Sequence, residues 1–143
     1  MEDPHDLNRF LVGQAPMFDV ALSEIRAGRK QSHWMWFIFP QLAGLGTSPI
    51  SQHYAIKNAS EAEAYLRHPV LGPRLVECAE AVLGIEGRTA REIFGAPDDA
   101  KLRSSATLFA HVSPPGSVFE RLLERYFPEG PDSRTLGAVG GPV

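Results

Sequence analysis

The sequence predicts an all-α fold, one irregular multi-helix domain over residues 1–128, followed by a C-terminal tail at 129–143 expected to be partly disordered. Three observations predict it. Apolar residues recur with a 3.6-residue period along the first segment. A Ser or Thr followed three residues later by Glu, the signature of a helix start, occurs three times downstream. No run alternates apolar and polar residues between turn signals, as paired strands would.

In the first segment Leu7, Phe10, Leu11, Phe18, Ala21, Leu22 and Ile25 share one helical face. The phase carries through Pro16, which predicts a kink or tight break, because proline lacks an N–H and crowds the preceding turn. Gly28 ends the segment, and Gln14 falls on its apolar face. Ser32 to Gln41 is apolar on every side, so periodicity cannot separate strand from helix. Ser32 as a cap and Pro40 as a stop favour a short buried helix. After the loop Ala43 to Thr47, Ser48-Pro49 reads as an N-cap with proline at the first helical position.

Ser60 with Glu63 opens a helix to about Arg67, closed by His68-Pro69. Leu71, Leu75, Cys78 and Val82 mark one face of a helix ended by Gly84. Thr89 with Glu92 opens a short helix ended by Gly95. Asp98 is the expected cap of a helix whose inward face carries Leu102, Ala106 and Phe109, with Thr107 bonding back inside it. Ser117 with Glu120 opens the last helix, ended by Pro128. The tail is rich in glycine and is expected to bury little.

Composition narrows the function classes. The net charge of -3 argues against a general nucleic-acid binder, although Arg26, Arg29 and Lys30 lie close together. A hydrophobic fraction of 43% over 143 residues supplies a core that needs no metal or disulfide staple. The single cysteine, Cys78, excludes an internal disulfide and fits a reducing compartment. The opening residues Met1 to Asp6 are acidic and carry no signal-peptide pattern, so the expected location is cytoplasmic. The longest apolar stretch, Trp34 to Pro40, is too short to span a bilayer. The expectation is a monomer with no membrane and no nucleic-acid partner.

Several of these stretches also carry a family resemblance: Leu7-Asn8-Arg9-Phe10, His33 through Leu42, Gly44-Leu45-Gly46, Tyr54-Ala55-Ile56, Ala64-Tyr65-Leu66, His68-Pro69, Lys101-Leu102, Ser104-Ser105 and Thr107-Leu108-Phe109. On these the chain resembles the bacterial family catalogued as domain of unknown function 1810, over roughly residues 5 to 128. The resemblance implies an all-helical fold and no established activity. A looser likeness, Tyr65-Leu66-x-His68-Pro69-x-Leu71 with Leu75, Glu92 and Asp98, is similar to part of a helical family acting on ADP-ribose-type N-glycosidic bonds.

Polar residues set among apolar ones are the candidate site. His33 beside Trp34 and Trp36 suits a flat ligand, with Trp34 stacking and His33 as acid or base. Asp98 is its candidate catalytic partner. With Asp98 as the cap, Lys101 and Ser104 or Ser105 lie one turn apart on that helix and suit a phosphate or carboxylate, with Lys30 or Arg29 as a further cation. Gln41 is placed to hydrogen-bond a ligand edge. For each the alternative is structural: core filling, capping or a solvated face. Gly44 and Gly46 lack the strand and third glycine of a nucleotide fingerprint. His53, His68 and His111 have no metal-ligand spacing, so neither a metal nor a cofactor is expected. The leading expectation is a domain binding a nucleotide or ADP-ribose-like small molecule, and the looser likeness implies N-glycosidic hydrolysis as its chemistry if it is an enzyme. The rival is a non-catalytic protein–protein interaction module.

Overall fold

The computed structural model describes residues 3–139. Among them ten α-helices enclose one core, and the sole β feature is a parallel bridge between Leu42 and Ile56. In chain order the helices are α1 (Asn8–Gln14), α2 (Phe18–Arg26), α3 (Met35–Ile38), α4 (Pro49–His53), α5 (Ala59–Arg67), α6 (Leu71–Leu83), α7 (Ala90–Phe94), α8 (Asp98–His111), α9 (Val118–Tyr126) and α10 (Ser133–Ala138). The long α8 is central and packs against α5, α7, α9 and α10, while α6 packs on α2, α5 and α9.

Pro16 divides the first periodic segment into α1 and α2. Gln14, the last residue of α1, is buried as its position on the apolar face predicts. Its Nε2 donates to the Phe37 carbonyl at 2.7 Å and to the Tyr65 hydroxyl at 3.0 Å, and Arg74 donates to its Oε1 at 3.2 Å. Each polar atom is satisfied, so this residue ties α1 to α3, α5 and α6.

Arg9 is the second internal tie. Its Nη2 meets Glu61 Oε2 at 2.6 Å, with side chains only 7% and 0% exposed. Its remaining donors go to the carbonyls of His5, Asp6, His53 and Ala55. The guanidinium is saturated, which is what a buried charge requires.

Three helix starts differ from expectation. Ser32 does not cap α3. Trp34 holds that position, and the Ser32 hydroxyl donates to Glu24 Oε2 at 2.6 Å. α5 begins before Ser60, with Asn58 Oδ1 accepting from Glu61 N at 2.9 Å. That earlier start turns Glu61, Ala62 and Tyr65 into the core. Asp98 is the first helical residue of α8 rather than its cap, because Pro97 precedes it and the Asp98 carboxylate is engaged elsewhere. By contrast, Thr89 and Glu92 form the reciprocal capping box, and Ser48 and Ser117 cap α4 and α9.

The chain after Pro128 is also more structured than its composition suggests. Arg103 of α8 donates to the carbonyls of Gly130 at 2.8 Å and Pro131 at 3.1 Å. Asp132 N donates to Thr107 Oγ1 at 2.9 Å, and Asp132 caps α10 by accepting from the backbone and hydroxyl of Thr135. Thr135 is fully buried. Side chains of α8 thus supply the order that glycine content argues against. Residues 140–143, the end of the expected tail, lie outside the described residues.

Candidate functional site

Two segments about 65 residues apart in sequence meet around Asp98. Lys30 Nζ sits 2.9 Å from Asp98 Oδ2, and Lys101 Nζ sits 3.3 Å from Asp98 Oδ1. Each ammonium also faces an indole: Lys30 lies 5.0 Å from the Trp34 ring centroid and Lys101 5.3 Å from that of Trp36. The result is a chain of alternating partners, Trp34–Lys30–Asp98–Lys101–Trp36, holding the start of α8 against the α3 segment. Lys30 Nζ also donates to the Ser32 carbonyl at 2.6 Å, so it is committed to this arrangement.

Behind it, Glu24 collects four donors. They are the indole Nε1 of Trp34 at 2.9 Å, the Ser32 hydroxyl, and the backbone N–H groups of Gln31 and Ser32. Burial pushes the Glu24 carboxyl up, but the four hydrogen bonds together win and hold it at about 2, well below the usual carboxylate range.

Beside the Asp98 node opens a cleft of about 310 Å³. One wall is the loop at Gln41, Leu45 and Gly46. The other is the first half of α8, with Lys101, Arg103 and Ser104, and the start of α10 closes it with Asp132 and Arg134. The bridge between Leu42 and Ile56 fixes the loop, with Ile56 N donating to the Gln41 carbonyl at 2.8 Å and Ala43 N donating to that of Ile56 at 2.7 Å. Gly46 lets the loop approach α4: a Cβ there would lie 2.6 Å from that of Ser51. Gly44, at a φ of +94°, makes the left-handed turn, and its carbonyl accepts from Arg134 at 3.4 Å across the cleft. The lining carries three cations, Lys101, Arg103 and Arg134, and one carboxylate, Asp132, which is occupied as the α10 cap; outside the lining, Asp98 pairs with Lys101 and Glu129 lies 3.9 Å from Arg103. This concentration stands out in a chain of net charge -3.

The expected site residues divide into three groups. Gln41, Lys101 and Ser104 line the cleft together. Lys30 and Asp98 sit in the ion-pair node, with side chains 9% and 18% exposed. The others lie apart. Trp34 is completely buried and bonded to Glu24, so it cannot stack on a ligand, and the expectation of a stacking role is corrected. Trp36, half-buried, is the more accessible of the two indoles. Ser105 is buried, its hydroxyl without a partner among the described residues, and it does not line the cleft. His33 is exposed and also outside the lining. Ser104 donates to the Ala100 carbonyl at 3.1 Å, which leaves its oxygen as an acceptor at the wall.

Sequence reasoning missed Arg103, Asp132 and Arg134. Their place at the cleft depends on the chain folding back after Pro128, and the composition of that segment points the other way. Among the described residues no group of three His, Cys, Asp or Glu side chains is placed to hold a metal. No described helix is long and apolar enough to cross a membrane. Cys78 is buried in α6, and burial pushes its thiol up to about 12, which leaves it unreactive.

A small all-helical domain built around α8, with a positively charged cleft at that helix's start, is the class these features define. The chain belongs to the family described as protein of unknown function DUF1810, whose pattern matches residues 4–139. It is similar to the crystal structure of the conserved hypothetical protein Rv1873 from Mycobacterium tuberculosis, with 50% sequence identity and a TM-score of 0.95 over 98% of this chain and 100% of that one. Among curated proteins none matches this chain.

Proposed function

We propose that this chain binds a small anionic ligand bearing a phosphate or carboxylate, of nucleotide-like chemistry, in the cleft between the Gln41–Gly46 loop and α8. The observation that carries the reading is the convergence of Lys101, Arg103 and Arg134 on one cavity of a net-negative chain. The volume of about 310 Å³ sits at the lower end of small-molecule sites. Lys101 offers a point charge and Arg134 a planar fork suited to paired oxygens. The Gln41 side chain supplies an amide edge, and Leu45 an apolar wall. Asp98 pairs with Lys101 and offsets part of its charge at the cleft edge, so its part in this reading is not catalytic, and acid–base work by His33 is not needed for binding.

The test is calorimetric titration of the full chain with inorganic phosphate, AMP and ADP-ribose, beside variants Lys101→Ala, Arg134→Ala and His33→Ala. Saturable binding is expected, weakened about tenfold or more by either of the first two changes and unmoved by the third. At 100 times its dissociation constant the ligand should add about 2.7 kcal/mol of stability. Absence of saturable binding by every anion, or binding indifferent to both Lys101 and Arg134, would overturn the reading.

A further inference from the structure

A larger cavity lies elsewhere, between the second half of α8, α9 and the Phe127–Leu136 segment, with a volume of about 570 Å³. Its apolar lining comes from Ala110, Leu123, Phe127 and Leu136. Leu123 and Phe127 are nine-tenths buried or more and form its floor, one turn apart on consecutive turns of α9 and its C-cap. At its edge stand two carboxylates, Glu120 and Glu124, spaced four residues apart on α9 and therefore on one helix face. Glu120 accepts from Gly116 N through Oε1 alone. Neither glutamate pairs with a cation among the described residues, and no lysine or arginine lines the cavity.

We infer that this groove is a second ligand site, for a hydrophobic organic cation: an apolar body on an ammonium or amidinium head. The apolar floor rewards a ligand that removes it from water, and the volume is that of a small-molecule site. The charge of the rim selects the head group, since an anion would meet two unpaired carboxylates and a cation would pair with them. His111 is the other titratable group at the rim. This site has the opposite charge preference to the Lys101 cleft and does not depend on it.

The experiment uses three probes of one shape, 4-phenylbutylamine, 4-phenylbutanol and 4-phenylbutyrate, titrated at pH 8 into the isotopically labelled full chain and followed by amide chemical shifts. The amine should shift residues of the second half of α8, α9 and the Phe127–Leu136 segment, and bind about tenfold or more tightly than the butyrate, with the alcohol between. The double variant Glu120→Gln with Glu124→Gln should erase the amine's advantage over the alcohol. Ala110→Leu, which fills the groove from a half-buried position, should weaken all three probes while the amide spectrum stays folded. Equal binding of amine and butyrate, shifts centred on Lys101 and Arg134, or preservation of amine binding in the double glutamine variant would each overturn the inference. A basic amphipathic peptide that occupies the groove where the amine does not would overturn it too, in favour of a protein-docking face.

Discussion

The indole of Trp34 donates to Glu24 Oε1 at 2.9 Å, ten residues back in the chain, and the pair is the hinge-pin between α2 and the aromatic segment. Removing the carboxylate strands a buried indole N–H together with the donors of Ser32 and Gln31. Glu24→Ala should therefore cost about 1–3 kcal/mol, read by urea unfolding at pH 7. The same carboxylate makes stability depend on pH. Its folded value of about 2 lies below the ordinary 4.5, so its contribution is complete above pH 4.5 and disappears as pH falls toward 2. The gap in stability between the parent chain and Glu24→Gln should accordingly narrow across that window, and a gap that stays constant from pH 7 to pH 2.5 would contradict the assignment.

Arg9 and Glu61 should behave as one unit. With side chains 7% and 0% exposed, either single change, Arg9→Met or Glu61→Gln, leaves an unpaired buried group and should cost about 3–5 kcal/mol. The double variant should lose distinctly less than the sum of the two. Additive losses in a double-mutant cycle would mean the two groups act separately.

Asp98 separates stability from binding. Asp98→Asn leaves Lys30 and Lys101 facing each other without the intervening carboxylate. Because these groups are partly solvated, the cost should be modest, about 1–2 kcal/mol. The cleft then becomes more positive, so inorganic phosphate should bind more tightly to the variant than to the parent, with the difference shrinking as salt is raised. Weaker phosphate binding in Asp98→Asn would show that the orientation of Lys101 matters more than the local charge.

Two glycines give opposite outcomes. A Cβ on Gly72, at the start of α6, would run into the carbonyl of Leu66, which is backbone and cannot turn aside. Gly72→Ala should destabilise by about 1–3 kcal/mol or more. In α10, Gly137 has nothing within 4 Å of such a Cβ, so Gly137→Ala should stabilise by up to about 1 kcal/mol through helix propensity. Thermal melts of the two variants, side by side, test whether the approach of α6 to the end of α5 is as close as described.

What the sequence made legible was local. The Thr89–Glu92 box, the Ser48 and Ser117 caps, the break at Pro16 and the inward Gln14 each depend on neighbours within a few residues, and each follows the physics of that spacing. Asn58 escaped because Ser60 offered an equally good cap, and only burial of Tyr65 decides between them. At the site, Lys101 and Ser104 were legible as neighbours on one helix, and Gln41 as a polar residue after an apolar run. The roles of Arg9, Arg103 and Arg134 were not, because their partners are 27 to 90 residues away. Trp34 illustrates the same gap: its ring chemistry suits a ligand, and only the position of Glu24 shows that the indole is already engaged.

The bonds of Arg9 also set an order of assembly. Its distant partners are His53, Ala55 and Glu61, 44 to 52 residues further along. During synthesis at about 5–20 residues per second, the start of the chain waits several seconds for Glu61 to be made. Until then the guanidinium has only the carbonyls of His5 and Asp6, and Phe10 beside it has no seat. The first helix in the chain is thus locked only once α4 and the start of α5 have been made, and the Arg134 bond to Gly44, spanning 90 residues, closes after it.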